Sequence, residues 1–259
     1  MNVFITGASS GIGVALARCY AQRGATLGLV ARRGEALEAL RASLPAAAGI
    51  HRVYAVDVTD ADALAAASAD FLEHIGVPNV VIANAGISGG TATEHIEDLA
   101  VFQRIFDTNM IAMVASFAPF IAAMKGAPPR GESRRLVGMA SVAGVRGLPG
   151  ASAYCASKAA VIAYCESLRI ELRGTPIRVV TLAPGFIATP MTLGNPYPMP
   201  FLMPVERFAE QAVIAIDRGV SYRVIPWQMG VVAKLMRLTP NALFDAAVAK
   251  RGRKPRVPG

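Results

Sequence analysis

A chain of 259 residues with 53% hydrophobic and 17% charged residues carries ample material for a core, which excludes intrinsic disorder, and its length suits one large α/β domain. The formal net charge of +8 is uneven: Lys250, Arg251, Arg253, Lys254 and Arg256 put five positives in the last ten residues and leave +3 on the rest, so no basic face with interleaved aromatics exists to bind nucleic acid. Cys19, Cys155 and Cys165 form no CxxC pair and no ligand spacing with the three histidines; free thiols in a reducing compartment are expected, and no metal site.

Residues 1–5 lead straight into a glycine motif, which leaves no signal peptide. The longest nearly uncharged run, residues 110–124, is interrupted by Pro119 and is shorter than the ~20 residues of a spanning helix. The expectation is a soluble, cytoplasmic protein.

In chain order, residues 3–6 read as a strand, and a glycine turn at 7–13 opens a helix to about residue 22. A strand at 26–31, a helix at 35–44, a strand at 53–56 and a helix at 61–75 follow. Residues 79–83 are the fourth strand, before a long helical stretch at 96–124. The fifth strand is 135–140, the next helix 152–173, and the last strands are 177–182 and 222–225. Apolar runs without polar alternation, alternating with helices, predict a parallel sheet covered on both faces. The fold class is therefore α/β, one doubly wound domain over residues 1–226 with a seven-stranded parallel sheet.

Two segments break the rhythm. Residues 186–204 contain Phe186, Pro190, Met191, Pro196, Tyr197, Pro198, Met199, Pro200, Phe201, Leu202, Met203 and Pro204. Proline at that density argues against regular structure, and an apolar loop must cover something: a substrate pocket, or its own core. Residues 227–259 form a helical extension and basic tail. Met229, Val231, Val232, Leu235, Met236 and Leu238 line one helical side, and Thr239 with Pro240 reads as the N-cap and first position of a second helix. The extension packs on the body or a partner subunit, or lies on an anionic membrane surface as a peripheral contact. The basic tail itself reads as a solvated terminus or an anion-binding segment.

The chemistry starts at Thr6-Gly7-Ala8-Ser9-Ser10-Gly11-Ile12-Gly13. Strand before and helix after are the context in which such a loop approaches a pyrophosphate, with the helix N-terminus facing the charge; alone it could be a plain turn. About 20 residues on, where an acid would bind a ribose hydroxyl, stand Arg32 and Arg33, which suit a 2′-phosphate. Tyr154 and Lys158, four apart on a helix, share a face. An ammonium near a phenol favours phenolate and makes tyrosine usable as an acid or base. Ser141 ends a buried strand, where open α/β sheets bind ligands.

Together these residues resemble the short-chain dehydrogenase/reductase family, with a Rossmann fold, over residues 2–226. The matched elements, in order, are the glycine motif, Asp57-Val58, Asn84-Ala85-Gly86, Asn109, Ser141, Tyr154 with Lys158, and Pro184-Gly185 with Thr189. The resemblance implies that Gly7, Ser9, Ser10, Gly11, Ile12 and Gly13 cradle the coenzyme. Asp57 and Val58 would meet the adenine, and Asn84, Ala85 and Gly86 the ribose region. Pro184, Gly185, Ile187 and Thr189 would line the nicotinamide site. Tyr154 would pass the proton, Ser141 hold the carbonyl oxygen, Lys158 bind the ribose, and Asn109 hold a water linking Lys158 to solvent. Ser10 replaces a basic residue often found in the motif, so the preference for NADP(H) over NAD(H) rests on Arg32 and Arg33. The expected activity is interconversion of a ketone and a secondary alcohol of hydrophobic, lipid- or acyl-like character, in a homodimer or homotetramer. The alternative is a non-catalytic NADP(H)-binding regulator or scaffold.

Overall fold

The computed structural model describes residues 1–45, 50–127, 134–193, 195, 198–249 and 252–256. In chain order the elements are β1 Asn2–Thr6, α1 Gly11–Gln22, β2 Thr26–Ala31, α2 Gly34–Ser43, β3 Arg52–Ala55, α3 Ala61–His74 and β4 Val80–Ala83. Then come α4 Asp98–Phe106, a π-helical segment Asp107–Ile111, α5 Ala112–Gly126, β5 Arg134–Met139, a 3-10 turn Val142–Gly144, α6 Ser152–Glu171 and β6 Ile177–Pro184. The chain continues through β7 Ile187–Ala188, β8 Met203–Pro204, α7 Val205–Asp217, β9 Tyr222–Ile225, α8 Trp227–Leu238 and α9 Asn241–Ala249.

The main sheet has seven strands in the order β3-β2-β1-β4-β5-β6-β9, every pairing parallel. The order reverses between β1 and β4, and the crevice at that switch point is where such sheets bind ligands. Side chains alternate between two cores. Val3, Ile5, Leu27, Leu29, Val80, Ile82, Val180 and Leu182 join α1 and α7 on one face. Phe4, Val30, Val81, Leu136 and Val179 meet Phe71, Phe117 and Phe120 on the other. Phe4 packs edge-on to Phe71, centroids 5.2 Å apart, and lies 4.9 Å from Phe120. Gly28 makes room for this cluster: a Cβ there would sit 2.5 Å from the Phe71 ring.

The expected long helix runs unbroken over Asp98–Gly126, long and apolar enough by length and composition to cross a bilayer. Its apolarity has a place in the protein, because Phe117, Phe120 and Met124 are fully buried in the second core.

Two local expectations change, at the proline-rich segment and at Thr239, and one helix is added. The proline-rich segment carries a short parallel pair, Ile187 with Met203 and Ala188 with Pro204, because Ile187 and Met203 are buried and their backbones need partners; Pro196 and Tyr197 lie outside the described residues. Helix α7 follows at once, its apolar positions Phe208, Ala209, Ala212, Val213 and Ile216 buried against the first core. Thr239 does not cap α9: its hydroxyl and its N–H both donate back to the Leu235 carbonyl and close α8.

The extension packs on the body through one side of α8. Met229 and Ala233 are buried with Val142, and Val145, Phe186, Val224, Val232 and Met236 pack around them. The single apolar side read from the sequence is split, since Trp227, Val231, Leu235 and Leu238 face outward. Of the tail, Lys250 and Arg251 lie outside the described residues, while half-buried Lys254 and exposed Arg256 bond back to the body.

Candidate active site

The glycine loop is locked to the end of β4. Asn84 Nδ2 donates to the Thr6 and Gly7 carbonyls at 3.1 and 3.3 Å, and the Thr6 hydroxyl accepts from Asn84 N and Ala85 N at 3.1 and 3.2 Å. Gly7 has φ +68°, and a Cβ there would stand 2.8 Å from Ala85 Cα. At Gly13 a Cβ would run into the Gly7 carbonyl, so loop and helix close up only with glycine at both places. Ser10 holds the N-cap position of α1 with extended backbone, yet its side chain makes no capping bond, and no acid lies in the first turn. The helix N-terminus thus keeps its N–H groups for an anion.

Above this loop a cavity of about 500 Å³ runs from Arg32, Arg33, Asp57 and Val58 to Ser141, Tyr154 and Lys158. Gly7, Ser9, Ser10, Gly11, Ile12, Asn84, Ala85, Gly86, Pro184, Gly185, Ile187 and Thr189 line it between these ends. Of the residues expected from the sequence, Gly13 and Asn109 stand behind the wall. Volume, open helix terminus and glycine cradle fit a nicotinamide dinucleotide.

At one end, Arg33 Nη2 donates to Ser9 O and Oγ at 3.0 and 3.1 Å, and Arg32 lies 3.9 Å from Asp57. Asp57 accepts from Thr59 N and Oγ1 at 3.0 and 2.9 Å, which with Arg32 holds its carboxyl below the usual range.

At the other end, Lys158 is 3% exposed and donates to the Met139 carbonyl at 2.7 Å. Burial pushes its pKa down to about 8. Its Nζ lies 5.8 Å from the Tyr154 ring centroid. Ser141 follows β5 and caps the 3-10 turn, its Oγ accepting from Ala143 N at 3.1 Å, which leaves its hydrogen for another oxygen. A Cβ on Gly144 would meet the Lys158 backbone at 2.7 Å; the turn therefore rests directly on α6 and fixes Ser141 relative to Tyr154.

Asn109 is fully buried in the π-helical segment. Its Oδ1 accepts from Ile87 N at 2.8 Å, and its Nδ2 donates to Ile87 O and Ser157 Oγ, both at 3.0 Å. The side chain is taken up in tying the Gly86–Ile87 wall to α6.

Several residues at the site escaped the sequence reading. Arg104 and Thr108 reach the cavity from one helix face, and Thr59 holds Asp57. The i, i+4 spacing of Arg104 and Thr108, one residue before Asn109, was the available signal. Lys254, far along the chain, stands 5.8 Å from the Tyr154 ring centroid; nothing local in the sequence indicates it.

A family model for short chain dehydrogenase matches residues 1–196. An uncharacterized oxidoreductase of Myxococcus xanthus is 38% identical over 251 residues, 96% of each chain. A sulfoacetaldehyde reductase of Chromohalobacter salexigens is 36% identical over 191 residues, 74% of each chain. The crystal structure of a 3-ketoacyl-(acyl-carrier-protein) reductase from Brucella melitensis, complexed with NADH, superposes with TM-score 0.78 and 26% identity, covering 86% of this chain and 96% of that one. With its parallel sheet, glycine cradle and tyrosine–lysine pair, the chain belongs to the short-chain dehydrogenase/reductase family and is an oxidoreductase.

Proposed function

We propose that the protein is an NADP(H)-dependent reductase that interconverts a ketone and a secondary alcohol, with Tyr154 as the proton donor and acceptor. The observation that carries this reading is the convergence of Ser141, Tyr154 and Lys158 at one end of the cavity that the glycine loop opens. When bound, the coenzyme supplies or accepts the hydride. The chain does the rest. Ser141 Oγ–H and the Tyr154 hydroxyl donate to the carbonyl oxygen and stabilise the negative charge that grows there. Tyr154 gives up its proton to that oxygen, and the positive charge of Lys158 favours the phenolate left behind. In the oxidative direction the same phenolate takes the alcohol proton.

The preference for NADP(H) over NAD(H) rests on the two guanidinium groups at the far end, Arg32 beside Asp57 and Arg33 over Ser9. A hydrophobic, acyl-like substrate is supported by Ile187, Pro190 and Met191 of the proline-rich segment, which line the cavity. Two of the three proteins named above carry a carbonyl compound in their names, which supports the reductive direction for this chain. A homodimer or homotetramer is supported by outward-facing Ile111 and Ile170, 60% and 67% exposed. The setting is cytoplasmic, with the outer stripe of α8 as a peripheral membrane contact.

The test is NADPH consumption against ketones and 3-oxoacyl compounds of increasing chain length, with NADH in parallel. A rate that climbs with chain length with NADPH alone supports the reading; turnover confined to small polar carbonyls sinks the substrate class. Tyr154→Phe separates an enzyme from the scaffold alternative. An enzyme loses nearly all turnover and still binds coenzyme, whereas a scaffold is indifferent.

A further inference from the structure

Residues 252–256 return to the active site and are clamped beside it. Arg256 pairs with the first turn of α4: its Nη2 and Nε reach the two Asp98 oxygens at 2.8 and 3.0 Å, and Nη2 reaches Glu97 at 3.0 Å. Asp98 is 2% exposed and also accepts from Ala92 N at 2.7 Å. The segment bridges by backbone to Gly90 through Arg256. Its path exists because two glycines leave it open. A Cβ on Gly90 would collide with the Pro255 carbonyl, and one on Gly150 would lie 2.8 Å from Lys254 N.

The clamp sets Lys254 beside the reacting tyrosine. Lys254 Nζ donates to Ser88 Oγ at 2.6 Å, two residues past the Gly86 that borders Lys158. The same Nζ lies 5.8 Å from the Tyr154 ring centroid, as far as Lys158 does. Among the described residues no carboxylate lies within 4.0 Å of it. Each ammonium makes one hydrogen bond and keeps two N–H groups; the resemblance gives those of Lys158 to the coenzyme ribose, whereas those of Lys254 have no such claim on them. Partial burial also pushes the Lys254 pKa down, as expected for a cation short of counter-charge.

We propose that Lys254 is a specificity-determining residue that receives an organic anion carried by the substrate, a carboxylate or its equivalent, a few carbon atoms from the carbonyl held by Ser141 and Tyr154. This rests on the reductase reading above and narrows its substrate to an oxo acid whose remaining chain is apolar, of which the short acids below carry only the anion and the carbonyl. The anion accepts a charge-assisted hydrogen bond from Lys254 in a partly desolvated setting.

The experiment uses the full chain with NADPH, and acetoacetate, levulinate and 5-oxohexanoate against their methyl esters. A charge-assisted bond of about 1.5–3 kcal/mol corresponds to about ten- to hundredfold in affinity. Wild type is expected to favour at least one acid over its ester by that factor in kcat/KM. Lys254→Met should raise KM for that acid by about the same factor, with kcat and the esters within about twofold, and Lys254→Arg should keep most of the preference. Acids and esters falling together, or a wild type indifferent to the carboxylate, overturns the proposal. A joint fall with a displaced pH–rate profile would instead make Lys254 a tuner of Tyr154, which also overturns it. Titration of levulinate by calorimetry into the protein loaded with NADP+, which has no hydride to give, is independent of turnover. Binding lost in Lys254→Met supports the anion site even if no ketone is reduced, whereas absence of turnover on every carbonyl strikes the reductase reading alone. Equal binding by wild type and Lys254→Met refutes the anion site.

Discussion

Lys158 is needed for chemistry and costs the fold stability, and the two effects can be separated. The side chain is 3% exposed, donates to the Met139 carbonyl at 2.7 Å, and has no carboxylate within 4.0 Å among the described residues. Burial lowers its pKa from 10.5 to about 8. At 1.36 kcal/mol per pKa unit, the charged form carries a desolvation cost of about 3 kcal/mol at pH 7. Lys158→Met keeps the length of the side chain and removes the charge, at the expense of one hydrogen bond worth about 1 kcal/mol. The variant is therefore expected to be about 2 kcal/mol more stable at pH 7, a rise of about 4–8 °C in Tm.

The pH dependence gives the sharper test. The folded-state pKa lies below the unfolded one, so between about 8 and 10.5 the unfolded chain binds more protons. Stability from this group therefore rises with pH across that window. The advantage of Lys158→Met should shrink from about 2 kcal/mol at pH 7 to near zero at pH 9.5. Urea unfolding of the coenzyme-free protein at the two pH values measures it, with turnover assayed alongside and expected to vanish. A variant less stable than wild type at pH 7, or an advantage independent of pH, would refute the reasoning.

Removing Arg32 and Arg33 together should raise KM for NADPH about ten- to hundredfold and leave KM for NADH nearly unchanged; initial rates with both coenzymes decide it, and equal losses would refute the phosphate role. Asn109→Ala removes the partner of Ile87 N, Ile87 O and Ser157 Oγ at once and should cost about 2–4 kcal/mol by urea unfolding, with Asn109→Asp rescuing little because it restores only the first and buries a charge. Gly28→Ala drives a methyl group against Phe71 and Phe4 and should cost about 1–3 kcal/mol, read as a lower Tm with unchanged KM for coenzyme.

The alternation of strands and helices was plain in the sequence because a parallel sheet covered on both faces writes each strand as an apolar run. Within those runs the division of faces was also written: Val3 and Ile5 go to one core and Phe4 to the other. The coenzyme groove was legible because its demands are local. A tight turn and an open helix terminus need particular residues at fixed spacing, and Gly7 through Gly13 supply them. Helix α7 is hidden in the sequence although Phe208, Ala209, Ala212, Val213 and Ile216 repeat with helical period, because the dense prolines just before it break up the regular pattern. Thr239 was misread because a threonine before a proline suits a helix start, and only the geometry of α8 decides where its hydroxyl turns. The bonds of Asn109 depend on a π-helical segment, which leaves no simple periodicity to read.

The basic tail is the clearest case of information that sequence cannot hold locally. A cluster of positive charges near a terminus reads as solvated, and Arg253 is indeed exposed. Arg256 instead pairs with buried Asp98, and Lys254 reaches Ser88, each across more than 150 residues of chain. Gly90 and Gly150 make way for the tail, but neither announces it alone. This bears on how membrane contact should be tested. Ending the chain at Val224 removes Lys254 and also Met229, which packs 2.6 Å from where a Gly185 Cβ would lie, so lost turnover there says nothing about membranes. Trp227, Val231 and Leu235, 66%, 48% and 61% exposed, form an outward stripe of α8 away from those contacts. Trp227→Ala with Leu235→Ala should leave turnover within about twofold and abolish flotation with anionic liposomes, since interfacial binding scales with buried apolar area. Flotation unchanged in that double variant, or no flotation of the wild-type chain, refutes the membrane contact while leaving the active-site role of the tail intact.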